Sequence, residues 1–199
     1  MGFFISNPFC LLRQQQNNMS KLKIAIQKKG RLSEKSLELL KNCGISIANG
    51  DRRLKAEAKN FPMEILFLRD DDIPEYVSQG VADIGIVGEN EIWEKGNKVS
   101  VVKKLGFAAC RLCLAIPKED TYTGPSFFEG KKVATSYPVI LKKFFDEKGV
   151  NVGIEEIGGS VEIAPGIGLA QGIFDIVSTG STFTMNGLKE VETVVKSES

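Results

Sequence analysis

Hydrophobic and polar positions along this chain fall into regular blocks from Lys21 onward. Leu22-Lys-Ile-Ala-Ile26 alternates apolar positions and predicts a strand. Gly30-Arg31-Leu32-Ser33 then turns into a helix with Ser33 as N-cap, Leu37, Leu39 and Leu40 as its buried face, and Gly44 at its end. Residues 63–68 predict a second strand, which runs into Arg69-Asp70-Asp71-Asp72 and a short helix opened by Pro74. Strands are also expected over 81–87, 99–103, 110–116, 131–135 and 150–157, with a helix between the last two that Pro138 opens and Gly149 closes. A helix is expected over 162–172, a strand over 174–177, and a Thr179-Gly180-Ser181-Thr182 turn into a further short helix.

Strands alternating with helices predict an α/β protein with largely parallel sheets. The strands at 99–116 read as crossings between two α/β lobes, which places a cleft at the lobe interface, a frequent position for small-molecule sites. Lobe I is expected to comprise residues 21–104 plus 184–199, and lobe II residues 105–183. Residues 1–20 read as a disordered extension. Their apolar start lacks a basic region and is broken by Pro8, so Met19 is the more natural start than a degenerate signal peptide.

Composition narrows the chemistry. The 26 basic and 25 acidic residues leave a formal charge of +1, which gives no broad attraction for nucleic acid or an anionic membrane. No stretch is long and apolar enough to span a bilayer. Histidine is absent, which removes Ser/His and Cys/His nucleophilic machinery. Cys110 and Cys113 have C-x-x-C spacing but lie in a strand, with neither a second such pair nor a histidine to complete a zinc site. They read as structural thiols of a reducing compartment, the cytoplasm.

The segment Phe174-Asp-Ile-Val-Ser-Thr-Gly-Ser-Thr182 carries the strongest chemical signal. A hydrophobic strand delivers Asp175, and a loop of small hydroxyl residues around Gly180 follows. Close backbone approach at Gly180 and donors from Ser178, Thr179, Ser181 and Thr182 suit a phosphate. Asp175 is placed to accept hydrogen bonds from ribose hydroxyls. An ordinary capped strand-to-helix turn has the same local pattern.

Glu162, Gly168, Ala170, Ile173, Asp175, Ile176, Thr179-Gly180 and Thr182 fall at the spacing of the ATP phosphoribosyltransferase signature, with Phe183 where Leu or Met is usual. Gln27–Ser33, Leu68–Pro74, Gly85–Asn90, Ala134–Pro138, Gly159–Glu162 and Asn186–Leu188 resemble further motifs of that family, in its order. The resemblance covers roughly residues 21–197. It implies two lobes of the periplasmic-binding-protein type and transfer of phosphoribosyl from phosphoribosyl pyrophosphate to N1 of ATP, with Mg²⁺, at the entry to histidine biosynthesis. It implies that Ser178–Thr182 hold the 5-phosphate and that Glu162 and Asp175 engage the ribose or its metal.

Two anionic substrates in one cleft require cations on the other lobe. Lys28, Lys29, Gly30 and Arg31 are the candidates for polyphosphate contacts, with a solvated basic turn as the alternative. Arg69, Asp70, Glu89 and Arg111 are further candidates toward ATP, and Asp70 joins Glu162 and Asp175 as a candidate metal ligand. Arg111 fits either a phosphate contact or a carboxylate pair, and Tyr137 either stacking on adenine or packing.

Gly166 and Gly172 are expected to weaken the 162–172 helix, by about 0.5–1 kcal/mol each relative to alanine. The resemblance also implies a homo-oligomer, dimeric or hexameric. The family's long form adds a histidine-binding regulatory domain, which is not seen in this sequence. The short form works with a separate regulatory subunit; this chain's motifs look closer to the long form, so a truncated long form is the favoured expectation and a short-form-like catalytic region the alternative. The readings set against the enzyme are a truncated, non-catalytic nucleotide-binding remnant and a two-lobed solute-binding protein.

Overall fold

The computed structural model describes residues 21–47, 54–96, 98–178 and 181–199. Two sheets organise the described chain. In lobe I the order is β2 (Lys55–Glu57), β3 (Met63–Leu68), β1 (Leu22–Gln27) and β4 (Ile84–Gly85). The β1–β3 and β1–β4 pairs are parallel, and β2 pairs antiparallel with β3. Helices α1 (Arg31–Asn42), α2 (Ile73–Ser78) and α3 (Glu89–Lys95) follow β1, β3 and β4. Ile24, Ile26 and Ile65 bury one face of the sheet with Leu32 and Leu40 of α1, while Ala25 and Leu66 bury the other with Ile73 and Ala82. This two-sided burial is why β1 and β3 read so clearly as apolar runs.

Lobe II has the order β7 (Gly153–Glu156), β6 (Lys132–Thr135), β8 (Gly172–Val177), β5 (Cys110–Pro117) and β9 (Leu188–Ser197). Strand β6 runs parallel to β7 and β8, whereas β5 runs antiparallel to β8 and β9. Helix α4 (Pro138–Lys148) covers one face, where Leu141 and Phe145 meet Phe128, Phe174 and Leu114. The short helix α5 (Ser181–Met185) follows β8. The fold class is α/β in two lobes, with antiparallel strands set beside parallel cores.

Several expectations change. The helix over 162–172 is absent: a 3₁₀ turn at Val161–Ile163 gives way to turns, and Gly168 adopts φ +75°, outside the helical region. Gly172 opens β8 instead. A Cβ there would lie 2.6 Å from Phe128 Cε1 and 2.9 Å from the Ala115 carbonyl, so only glycine lets the strand pack this closely. The strand expected at 99–103 is not formed, and 81–87 reduces to β4. Ser33 lies inside α1, whose N-cap is Gly30 at φ +97°.

Residues 184–199 were expected in lobe I. Strand β9 instead pairs along β5 in the lobe II sheet, and only its end reaches lobe I. There the Glu89 N–H donates to the Glu198 carbonyl, the Leu105 N–H to the Ser199 carbonyl, and the Ser199 N–H to the Phe107 carbonyl. The chain therefore passes between the lobes at 98–110, and beside that crossing residues 197–199 hydrogen-bond to lobe I.

Candidate active site

The loops after β1, β3, β4 and β8 meet between the lobes, around a cavity of about 230 Å³. Lobe I contributes Gln27, Gly30, Arg31, Leu32, Asp70, Gly88, Asn90 and Glu91, and lobe II contributes Cys110, Ile176 and Ser178. A cavity at the carboxyl ends of strands is the standard ligand position of open α/β sheets.

Lobe I supplies cations and acids. Lys28, Lys29 and Arg31 are exposed at the turn that Gly30 opens, and Arg31 lines the cavity. Asp70 accepts a 2.9 Å hydrogen bond from Gln27 Nε2 at its edge. Arg69 is turned outward, paired with Asp71 at 3.0 Å.

From lobe II, Asp175 sits half-buried on β8, with Oδ1 accepting the Ile176 N–H at 2.8 Å. It shares a strand face with Ile173 and Val177, the face on which Val161 and Ala164 are buried. That packing seats the turn carrying Glu162 beside Asp175. Burial, and after it the Glu162 charge, push the Asp175 carboxyl up to about 6, while the Ile176 N–H opposes this. Ser178 and Thr182 are exposed. Thr179 and Gly180 lie outside the described residues, as does the side chain of Ser181.

Three candidates are engaged elsewhere. Glu89 does not line the cavity; its carboxylate holds Lys104 at 2.9 Å. Arg111 forks onto Glu190 through Nε at 2.8 Å and Nη2 at 2.7 Å. The fork holds Glu190 down to about 2, so the carboxylate-pair reading of Arg111 is the one realised. Tyr137 is buried and donates its hydroxyl to Glu91 Oε1 at 3.0 Å, which makes it a packing tyrosine with no face free for a base.

Glu91 itself was missed, as were Asn90 and Glu94. The three form the buried face of α3. Asn90 Nδ2 donates to Glu91 Oε1 at 2.7 Å, and Ser197 Oγ donates to Asn90 Oδ1 at 2.7 Å. Gly88 leaves room for this, since a Cβ there would sit 2.4 Å from Asn90 Oδ1. Burial, then the charge of Asp70, push Glu91 up to about 7 against the lowering effect of the Tyr137 hydroxyl.

The model of the family described as ATP phosphoribosyltransferase matches residues 69–199. The chain belongs to the ATP phosphoribosyltransferase family. It is 59% identical over 177 residues to the ATP phosphoribosyltransferase of Parabacteroides distasonis and 58% identical to that of Bacteroides thetaiotaomicron. Each match covers 89% of this chain and 62% of the relative, so the chain spans less than two thirds of the length of these relatives. Among solved structures, a chain of the ATP phosphoribosyl transferase (HisG:HisZ) complex from Thermotoga maritima superposes with a TM-score of 0.75 at 32% identity, covering 89% of this chain and 84% of that one. An arginine-bound ArgBP from Thermotoga maritima, 10% identical with a TM-score of 0.57, shares the two-lobed fold. Within the family, the expectation of periplasmic-binding-protein-like lobes is met.

No cluster of three metal-binding side chains occurs among the described residues. Asp70 lies on lobe I, apart from the Glu162–Asp175 pair on lobe II. Those two carboxylates fit Mg²⁺ only as partial ligands, the way Mg²⁺ binds when phosphates complete its shell. No helix among the described residues is long and apolar enough to cross a membrane.

Proposed function

We propose that this chain catalyses transfer of phosphoribosyl from phosphoribosyl pyrophosphate to N1 of ATP, the first step of histidine biosynthesis. Family membership supports the reaction class. The observation that carries the reading is that Ser178 and Ile176, next to the signature Asp175, line the same cavity as Arg31 and Asp70 of the other lobe. A sugar phosphate held on lobe II thus faces a nucleotide held on lobe I.

In this reaction the N1–C1 bond forms as the bond from C1 to the pyrophosphate oxygen breaks, and pyrophosphate leaves with the electron pair. Adenine N1 is already nucleophilic, so no histidine is needed. The protein's task is alignment and charge stabilisation. Ser178 to Thr182 hold the 5-phosphate, Asp175 and Glu162 hold the ribose hydroxyls, and Lys28, Lys29 and Arg31 neutralise polyphosphate. Glu162 and Asp175 would hold Mg²⁺ in part, and when bound it would make pyrophosphate a better leaving group.

The named Thermotoga maritima complex supports an oligomer with a separate regulatory subunit as the working assembly. The test is pyrophosphate release that requires both ATP and phosphoribosyl pyrophosphate. Asp175→Asn and Thr182→Val, with unchanged circular dichroism, are expected to lower it at least tenfold. Release unaffected by both variants would overturn the site assignment.

A further inference from the structure

Glu91 is only 5% exposed, yet it lines the interlobe cavity. Both hydrogen bonds that reach it, from Asn90 Nδ2 at 2.7 Å and Tyr137 Oη at 3.0 Å, end on Oε1. Among the described residues, Oε2 receives none. The one side-chain polar atom there that is both sealed in protein and unpartnered is Ser199 Oγ, so Oε2 is open to the cavity. A largely buried carboxylate oxygen left without a donor is costly, and a ligand that brings one is favoured.

The surroundings define that ligand. Leu32, Ala108 and Ile176 give the cavity apolar walls, and Ile176 stands 41% exposed. Apolar walls beside an open carboxylate oxygen suit a flat ring bearing an amino group. Ser178, at the phosphoribosyl side, borders the same space.

Resting on the phosphoribosyltransferase reading, we propose that Glu91 Oε2 accepts a hydrogen bond from the 6-amino group of the purine. Glu91 then selects 6-amino over 6-oxo purine nucleotides. Because the amino group is adjacent to N1, the same contact turns N1 toward the ribose carbon. Asn90 and Tyr137 act through Glu91 as positioning residues, fixing Oε1 so that Oε2 faces inward.

The experiment is calorimetric titration of wild type and Glu91→Gln with ATP and with inosine triphosphate at a pH about two units above the range in which Glu91 titrates, where Oε2 is an acceptor. In the variant the amide oxygen can keep the bonds from Asn90 and Tyr137, while its NH₂ meets the cavity. Wild type is expected to prefer ATP about tenfold or more, and the variant to lose or reverse that preference, as expected when a buried acceptor becomes a donor. Equal affinity of wild type for both nucleotides overturns the inference without any variant, and so does a variant that retains the wild-type ratio. Failure of wild type to bind either nucleotide overturns the phosphoribosyltransferase reading, and this inference with it.

Discussion

The Glu94 carboxylate of lobe I accepts the backbone N–H groups of Val139 at 2.8 Å and Ile140 at 3.0 Å, and so caps a helix that belongs to lobe II. Helix α4 has no side-chain cap of its own: its N-cap is Tyr137 and Pro138 fills the next position. The free amides of its first turn are therefore satisfied across the lobe boundary.

Replacing Glu94 with alanine is expected to destabilise the fold by about 1–2 kcal/mol, the usual range for losing a cap. Urea denaturation checks this. Glu94→Gln, which keeps an acceptor, should lose less.

Stability should fall as pH rises through the range in which Glu91 titrates. The groups around it are Asp70 and Asp71, which raise it, and Tyr137 and Lys95, which lower it. From an ordinary value near 4.5 the folded carboxyl moves up to about 7. Between those values the folded chain keeps a proton that the unfolded chain has released, so unfolding becomes easier as pH increases. Below both values the penalty vanishes. Glu91→Gln is expected to flatten the change in urea midpoint between pH 4.5 and 7 and to be more stable than wild type at pH 8.

Gly172→Ala introduces a Cβ against the Phe128 ring and the Ala115 carbonyl. Overpacking of this kind costs about 1–3 kcal/mol. The companion Phe128→Leu change should recover part of the loss, and a double-mutant cycle on thermal unfolding measures the coupling.

Arg111→Ala is expected to leave ATP affinity within about twofold of wild type, because the guanidinium is spent on Glu190. The stability cost should be under about 1 kcal/mol, since the pair is partly solvated. A fall in ATP affinity of tenfold or more would restore the phosphate-contact reading.

The parts of the fold legible in the sequence were those where burial follows a simple period. Strands β1 and β3 are apolar runs between Lys21 and the Arg69–Asp72 turn, and Pro138 and Gly149 bracket α4 by their backbone preferences alone. Helix α3 escaped because its buried face is Asn90, Glu91 and Glu94; hydropathy reads such a helix as solvent-exposed loop. Strand β9 escaped because register shifts opposite Leu112/Cys113 and Leu114/Ala115 break its alternation. The false helix over 162–172 came from apolar spacing that Pro165, Gly166 and the left-handed Gly168 override.

The candidate site divides along the same line. Arg31 and Asp70 stand just beyond strand ends, where topology delivers them to the cavity, whereas Asp175 lies within β8 and Glu162 on a 3₁₀ turn, and neither lines it. Glu89 was chosen because it stands directly after the third strand, and Glu91 follows it by two residues. Only the helical turn of α3 decides which points inward, and it sends Glu89 to Lys104 and Glu91 to the cavity.

The hydrogen bonds from the end of β9 to lobe I, beside the 98–110 crossing, have a mechanical consequence. A single tether would leave one lobe free to swivel and twist against the other. The 98–110 segment is the covalent link, and the backbone hydrogen bonds at Glu198 and Ser199 act as a latch beside it that resists twisting of one lobe against the other. With twist resisted, substrates on the two faces would approach along one arc.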